Sequence, residues 1–539
     1  MYKKMWDVKK YLEAYEAIKS KPGNKTPGED KKTMDGMSLE IFNQIISEMK
    51  SRRFKFKPSK RIYIPKKNGK LRPLGIPTPR DKLVQKVYLN ILEEIYEKIF
   101  LDTSHGFRPN RSCHTALKEI KKWTGTTWLI EGDIKGYFDN IDHNILAELL
   151  QKTILDKNMV DLYRKLVNAG YVEANGVYKE NSIGVSPLLS NIYLHELDKY
   201  IEKLKEEYNT KSIRKSNPVY VKAETAWRTA KRRYAKGTID IKELKKAQKR
   251  LTSLPSTERT GVRITYVRYA DDYLVGVIGQ KKTAEEIRGK IKWFLENVLK
   301  IELNMEKTKI TNASRKSVKF LGYIIKTTNR KYYQSLKLKN DTLKRMPFGR
   351  IKFFLPSADL LKSLQDKKFV NQKGRSVYYG PWIQFSEYEI IMKYRSVING
   401  LFNYFKLVDN LSRFGYILYL LTYSAAHTIA AKRRTSIAKV FTKHGKYLKV
   451  LKPSPTPLPY LRLKPTEGGV VGPTDLRWDG EEAGKKAKEV QKYIDLKIDL
   501  KDPSPVTQFE DPFKVKNYTI RTTSSFDRPC QICKTSKRS

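Results

Sequence analysis

Three observations predict an α+β fold. Residues 266–277 read Tyr-Val-Arg-Tyr-Ala-Asp-Asp-Tyr-Leu-Val-Gly-Val, two β-branched and aromatic runs on either side of Asp271 and Asp272. That is the pattern of a hairpin with an acidic pair at its tip. Residues 61–77 hold two more strand-like runs around Asn68-Gly69, a strong hairpin signal. Elsewhere, apolar residues recur at helical spacing, as at Ile391, Tyr394, Ile398, Leu401 and Phe405.

In chain order, residues 1–20 form an amphipathic helix, 21–36 a loop rich in Gly, Pro and Lys, and 38–52 a second helix with Leu39, Phe42, Ile45, Ile46 and Met49 on one side. Lys66 and Arg72 project from the hairpin of residues 61–77. A helix over 81–100 leads to residues 104–112, where Arg108, Arg111 and an aromatic suit a nucleic-acid backbone and a stacked base. An apolar strand ends at Asp133, and Phe138 lies five residues on. Residues 199–263 interrupt the pattern with basic helices. These are either a solvated insertion or, because Arg and aromatic residues interleave, an RNA-binding one. Residues 283–299 are an amphipathic helix, and 387–421 present a helical core face. Lys432, Arg433 and Arg434 either face RNA or end a solvated helix. Residues 452–475 read as a Pro- and Gly-rich linker, and 479–501 as one or two charged helices.

The charge narrows the function. The chain has 108 Lys and Arg against 57 Asp and Glu over 539 residues, a net +51. Such an excess marks a polyanion partner, nucleic acid foremost and an anionic membrane second. Residues 415–431 lack charge but fall short of the ~20 apolar residues a membrane span needs, so a buried helix is expected there and no membrane partner. Three cysteines argue against a disulfide framework and for a reducing compartment. The N-terminus shows no apolar signal core and fits poorly with a transit peptide. No Walker loop and no catalytic cluster among the six histidines is evident.

Adjacent carboxylates repel, and a hard cation such as Mg²⁺ compensates them. Asp133 adds the third carboxylate that a two-metal phosphoryl-transfer site requires. Taken in order, residues 61–77, 104–112, 133–142, 186–198, 266–277, 304–310 and 320–325 resemble the successive blocks of group II intron-encoded reverse transcriptase/maturases of the mitochondrial-like lineage. Residues 390–444 resemble the same family's thumb, or maturase, domain.

The resemblance implies a right-hand polymerase: fingers and palm over 1–335, with the basic insertion 199–263, and an all-helical thumb over 336–451. A basic C-terminal appendage would follow, as a linker and DNA-binding region over 452–525 and an endonuclease remnant over 526–539. It implies that Asp133, Asp271 and Asp272 hold Mg²⁺ as catalytic ligands. Lys66 and Arg72 would clamp the nucleotide triphosphate, with Phe138 under the sugar. Arg108, Arg111, Lys432, Arg433 and Arg434 would meet template or intron RNA. Group II intron RNA and dNTPs are the implied partners, with a DNA target in addition. The implied compartment is the mitochondrion, for an organelle-encoded protein, with a plastid or bacterial cytoplasm as alternatives. Two departures stand out. The family's Pro-Gln-Gly segment is missing where Ile183-Gly184-Val185 runs into Ser186-Pro187, a gap of about six residues beside the nucleotide site. The second is that Cys530 and Cys533 supply two of the four ligands zinc normally takes, so zinc binding and endonuclease activity are not expected. The function read from the whole is a splicing maturase with an impaired reverse transcriptase site, or a non-catalytic RNA-binding splicing factor.

Overall fold

The computed structural model describes residues 1–65, 69, 71–173, 176–179, 186–210, 216–254, 256, 261–328, 335–337, 343–345, 349–451 and 493–497. The chain divides into a first unit, built on residues 1–352, and a second beginning at Phe353.

The first unit opens with a short 3-10 turn, Tyr2–Trp6, and helix α1, Val8–Lys19. Asp7 caps α1, and Ser38 caps α2, Leu39–Lys50; each side chain accepts a backbone N–H of the first turn. Tyr11, Ala14 and Ile18 of α1 and Phe42, Ile45 and Met49 of α2 are buried in one core. Strands β1, Ser59–Pro65, and β2, Leu71–Ile76, pair antiparallel up to Pro65 opposite Leu71, which is the expected hairpin. Helix α3, Pro79–Tyr96, starts on a Thr78 cap with proline at its first position. Helix α4, Cys113–Lys121, leads into β3, Trp128–Gly132. Helices α5, His143–Thr153, and α6, Lys157–Asn168, follow, and then the two-residue strands β4, Tyr171–Val172, and β5, Tyr178–Lys179. Strand β4 lies parallel to β1.

Helix α7, Pro187–Tyr208, begins at the Ser186 cap and buries Ile201 and Leu204. The first ten residues of the expected insertion are therefore core helix. What protrudes is a pair of helices, α8, Pro218–Ala235, and α9, Ile241–Ser253, packed on each other. Among their residues only Ala223 is buried. Strands β6, Arg263–Tyr269, and β7, Asp272–Ile278, come next, then helix α10, Lys281–Asn297, and the short strands β8, Ile310–Asn312, β9, Val318–Phe320, and β10, Tyr323–Thr327. Strands β6, β7, β3 and β8 form one antiparallel sheet in that order. Its buried side packs Ile130, Tyr266, Tyr273, Val275 and Val277 against the helices.

In the second unit, helix α11, Ser357–Asp366, precedes α12, Glu387–Phe405, α13, Phe414–Arg433, and α14, Ile437–His444. A two-residue strand, Val450–Leu451, pairs with Tyr493–Ile494. Ser386 and Glu389 form a reciprocal capping box at the start of α12. Tyr394, buried, shares hydrogen bonds with Ser424 (2.8 Å) and Thr428 (3.0 Å) of α13, so these two hydroxyls of that apolar helix are satisfied internally. Residues 415–431 differ from the expected buried helix. Ile417, Leu420, Leu421, Ala425 and Ile429 are buried, but Tyr416 and Tyr419 are 52% and 50% exposed on the opposite side. Among the described residues no helix is long and apolar enough to cross a membrane.

Candidate active site

The acidic residues are positioned by sheet register. Tyr269 and Asp272 are the closing pair of the β6–β7 hairpin, so Ala270 and Asp271 form its two-residue turn. Ala270 takes φ +57°, an uncommon conformation for a residue with a Cβ. Gly132 pairs with Tyr273 across β3 and β7, which brings Asp133, the next residue, beside the hairpin tip. A Cβ on Gly132 would fall 1.9 Å from the Tyr273 ring, so this register requires glycine.

The hairpin is held from behind by a buried ionic network. Arg268, fully buried, donates to Asp198 through Nε (2.8 Å) and Nη2 (2.6 Å), and Nη2 also reaches Ser104 Oγ (2.8 Å). Its Nη1 donates to Asn191 Oδ1 (2.9 Å) and to the Ala270 carbonyl (3.0 Å), the point of positive φ. Tyr266 Oη donates to Asp198 (2.7 Å), and Asn191 Nδ2 to the Gly106 carbonyl (2.7 Å). The backbone joins in: Arg268 N–H donates to Thr103 O (2.8 Å), and His105 N–H to Arg268 O (2.9 Å). Burial alone would lower the guanidinium pKa, but Asp198 and its hydrogen bonds outweigh it, and the net shift is upward. Helix α7, the 103–106 loop and the hairpin are thus tied at one residue.

In front, Asp133 accepts hydrogen bonds from Asn304 Nδ2 (3.1 Å) and from Lys307 Nζ (3.2 and 3.0 Å), and its carbonyl accepts Asn304 N–H (2.9 Å). Burial and the nearby Asp133 push the Asp271 carboxyl up, while Arg72 and Lys307 pull it down. Asp272 remains exposed at the hairpin tip, but the surrounding protein displaces part of its water, and this, with the charges of Asp271 and Asp133, pushes its carboxyl up to about 6; Lys307 opposes this. Three carboxylates from two distant segments therefore sense one another, with Arg72 and Lys307 as local cations. Raised carboxyls with acidic neighbours are the donor chemistry a divalent cation relieves. Even so, among the described residues no three His, Cys, Asp or Glu side chains come close enough together to hold a metal ion as they stand.

The other expected residues divide. Arg72 is exposed near the start of β2, opposite Ile64. Lys66 lies outside the described residues. Phe138 is half-buried in a 3-10 turn, Tyr137–Asp139, entered through Gly136 at φ +57°, its ring 5.3 Å from that of Tyr137. Arg108 does not face outward as expected. It is buried, donating to Glu97 and to the carbonyls of Leu101 (2.8 Å) and Ser104 (2.9 Å), so its charge and fork are spent inside the fold. Arg111 is half-exposed and clamps the Asp102 carboxylate and carbonyl of its own loop. In the second unit Lys432, Arg433 and Arg434 are exposed at the end of α13; Arg433 pairs with Glu387, Lys432 reaches Ile383 O (3.3 Å), and Arg434 caps the helix at φ +50°. The shortened segment 181–185 and Cys530 and Cys533 lie outside the described residues.

Arg268, Asp198, Asn191, Asn304 and Lys307 were not singled out from sequence. Arg268 had a readable signal: it sits at a core-facing position of an apolar strand, two residues from Tyr266, and a buried arginine demands a buried acid. Lys307 sits in a turn and carried no such signal.

The chain matches two family models. Residues 64–221 and 238–325 match the reverse transcriptase (RNA-dependent DNA polymerase) model, whose gap at 222–237 falls inside the α8–α9 excursion. Residues 348–464 match the type II intron maturase model. The chain is 39% identical over 450 residues to the group II intron-encoded protein LtrA of Lactococcus lactis, covering 80% of this chain and 74% of that protein. It is 35% identical to the COX1/OXI3 intron 1 protein of Saccharomyces cerevisiae over 83% of this chain and 55% of that one. With the mitochondrial protein ymf11 of Marchantia polymorpha it shares 30% identity over 80% of this chain and 63% of that one. The strand-end carboxylates, the two family models in order and the long match to LtrA lead to one conclusion: the chain is a member of the group II intron-encoded proteins, an α+β reverse transcriptase joined to an intron maturase domain.

Proposed function

We propose that the protein binds a group II intron RNA to promote its splicing and carries an RNA-directed DNA polymerase site for intron mobility. The observation that carries the catalytic part is the electrostatic convergence of Asp133, Asp271 and Asp272 with Arg72 alongside. Mg²⁺ bound by the three carboxylates would stabilise the attacking and leaving oxygens of phosphoryl transfer. Lys307 must yield part of Asp133 to the ion. Arg72, with Lys66, holds the triphosphate, and Phe138 lies under the sugar. Fingers and palm run to about residue 335 and the thumb to 451, with DNA contacts beyond it. Relatives that include a mitochondrial protein support a mitochondrial setting. Primer extension on an RNA template tests the polymerase, and splicing of the cognate intron precursor tests the maturase.

The missing Pro-Gln-Gly segment supports impaired polymerisation. A polymerase must hold template base and nucleotide in near-attack geometry, and ~1 Å of misplacement costs ~100-fold in rate. Inserting Pro-Gln-Gly-Ser-Ile-Leu between Val185 and Ser186 is expected to raise extension by about that factor with RNA affinity unchanged. Robust, processive extension by the unmodified chain would refute the impairment. A second reading, a splicing factor with an inert palm, gains if the insertion restores nothing.

RNA binding should be dominated by phosphate contacts. Its log–log salt slope is expected to be several units negative. Residues 218–253, helices α8 and α9 with their connection, carry eleven Lys and Arg against three Asp and Glu, and their stem is bridged by Thr210 N–H to Val262 O (3.0 Å) and Asn217 N–H to Ser256 O (3.0 Å). Replacing residues 218–253 with a short turn should flatten the slope and leave the palm folded. An unchanged slope would mark the pair as a solvated excursion.

A further inference from the structure

Helix α13 has an unusual exposed face. A helix apolar on all sides is ordinarily covered on all sides. Here Tyr416, Tyr419 and Tyr423, spaced three and four residues apart, form a stripe exposed by 52%, 50% and 36%. Their rings are ordered. Tyr416 and Tyr419 are nearly parallel (14°) with centroids 6.5 Å apart, and Tyr419 and Tyr423 lie 4.4 Å apart. Phe441 of α14 continues the row, 5.2 Å from Tyr423.

The charge along the stretch that carries the stripe has one sign; the acidic group that meets it from α12 is Glu387, 13% exposed and already paired with Arg433. From residue 410 to 449 there is no Asp or Glu, against eight Lys and Arg. Lys439, Lys443 and Lys446, on and just after α14, are exposed. A protein partner would need only apolar area and some acidic rim. A partner that is both polyanionic and rich in planar rings satisfies the cations and the tyrosines together, and unpaired nucleic acid has both properties.

We propose that the α13–α14 face is a stacking platform for unpaired nucleotides. The tyrosine rings take the bases, and Lys439, Lys443 and Lys446 take the phosphates. This deepens the reading of the chain as an intron-RNA binder and rests on it. Base-paired RNA hides its base faces, so the platform discriminates single strands from duplex while the lysines serve both.

The test uses the full chain, a fluorescein-labelled 12-nucleotide RNA, and the same RNA annealed to its complement. Tyr416→Ala/Tyr419→Ala/Tyr423→Ala is expected to weaken single-strand binding at least about 20-fold, since each stacked base contributes several-fold or more, and duplex binding less than about 3-fold. The triple Tyr→Phe variant keeps the ring faces and should stay within about 3-fold of wild type. Tyr419→Leu keeps apolar area without a ring face and should fall with the alanine variants. These side chains are exposed, so the variants should keep the wild-type circular dichroism; if the triple alanine chain misfolds, Tyr419→Leu against Tyr419→Phe decides. Equal loss on both RNAs, no loss, or full affinity in the leucine variant overturns the platform. So does a stripe whose only effect is on self-association in sedimentation, which would make it a protein contact. A wild-type chain that binds neither RNA overturns the intron-RNA reading itself, a different outcome from wild-type binding that the tyrosine variants leave intact.

Discussion

Asp272→Asn is expected to abolish primer extension and, in the metal-free chain, to raise stability at pH 7. Loss of one charged Mg²⁺ ligand removes several kcal/mol of transition-state stabilisation, which is about 1000-fold or more in rate. The stability gain follows from the carboxyl's pKa of about 6 in the folded chain against ~3.9 unfolded. A raised folded pKa means the fold favours the proton. That stability is complete below about pH 4 and is lost as pH rises through about 6, where Asp272 charges beside Asp271 and Asp133. Asparagine never charges, so the variant should lose less stability over that interval. Primer extension, and thermal melting from pH 4 to 8 with chelator present, measure the two effects. Wild-type extension by the asparagine variant would remove Asp272 from the site. If the residual polymerase activity of the unmodified chain is too low to follow, the same substitution can be read in the chain carrying the six-residue insertion.

Arg268→Ala is expected to cost the first unit about 3–5 kcal/mol, because it leaves Asp198 buried and unpaired. Arg268→Lys should recover only part, since an ammonium cannot supply the fork that reaches Asp198, Asn191, Ser104 and Ala270 together. Replacing both partners, Arg268→Met with Asp198→Leu, should restore much of the stability, as apolar replacement of a buried pair often does. It should not restore extension, because the Ala270 carbonyl would still lack its anchor at the turn beside Asp271. Urea unfolding of the three variants gives the energies. A cost below about 1 kcal/mol for the single alanine change would show that the network contributes little.

The fold was legible where one local signal dominates. Asn68-Gly69 marked the β1–β2 hairpin, β-branched and aromatic runs marked β6 and β7, and helical periodicity marked α12. Asp271 and Asp272 were legible because two adjacent carboxylates at a hairpin tip repel each other, and Asp133, an unspecific signal by itself, gained meaning beside them. Arg108 was misread because composition treats arginine as a surface charge, whereas Glu97 and two carbonyls draw it inward. The partners of Asp133 were not legible: Asn304 and Lys307 reach it only through the turn before β8, a placement no local pattern encodes. Residues 415–431 were half-read, because periodicity reports that a helix is apolar and not which of its sides the fold leaves open.

The α8–α9 excursion leaves and re-enters the sheet domain at a bridged stem, and α9 buries no side chain. Its amides should therefore exchange with solvent through small local openings, far faster than those of β3 and β7. The sheet order gives this a physical consequence. Strand β3 precedes the excursion in sequence, while β6, β7 and β8 follow it, yet all four pair in one sheet. A protease that nicks the excursion cuts the covalent chain without separating its halves. The two fragments stay joined through the β3–β7 and β3–β8 ladders and the Arg268–Asp198 pair. Expressed separately, fragments divided near residue 237 have the hydrogen-bonded seam needed to find each other and reassemble.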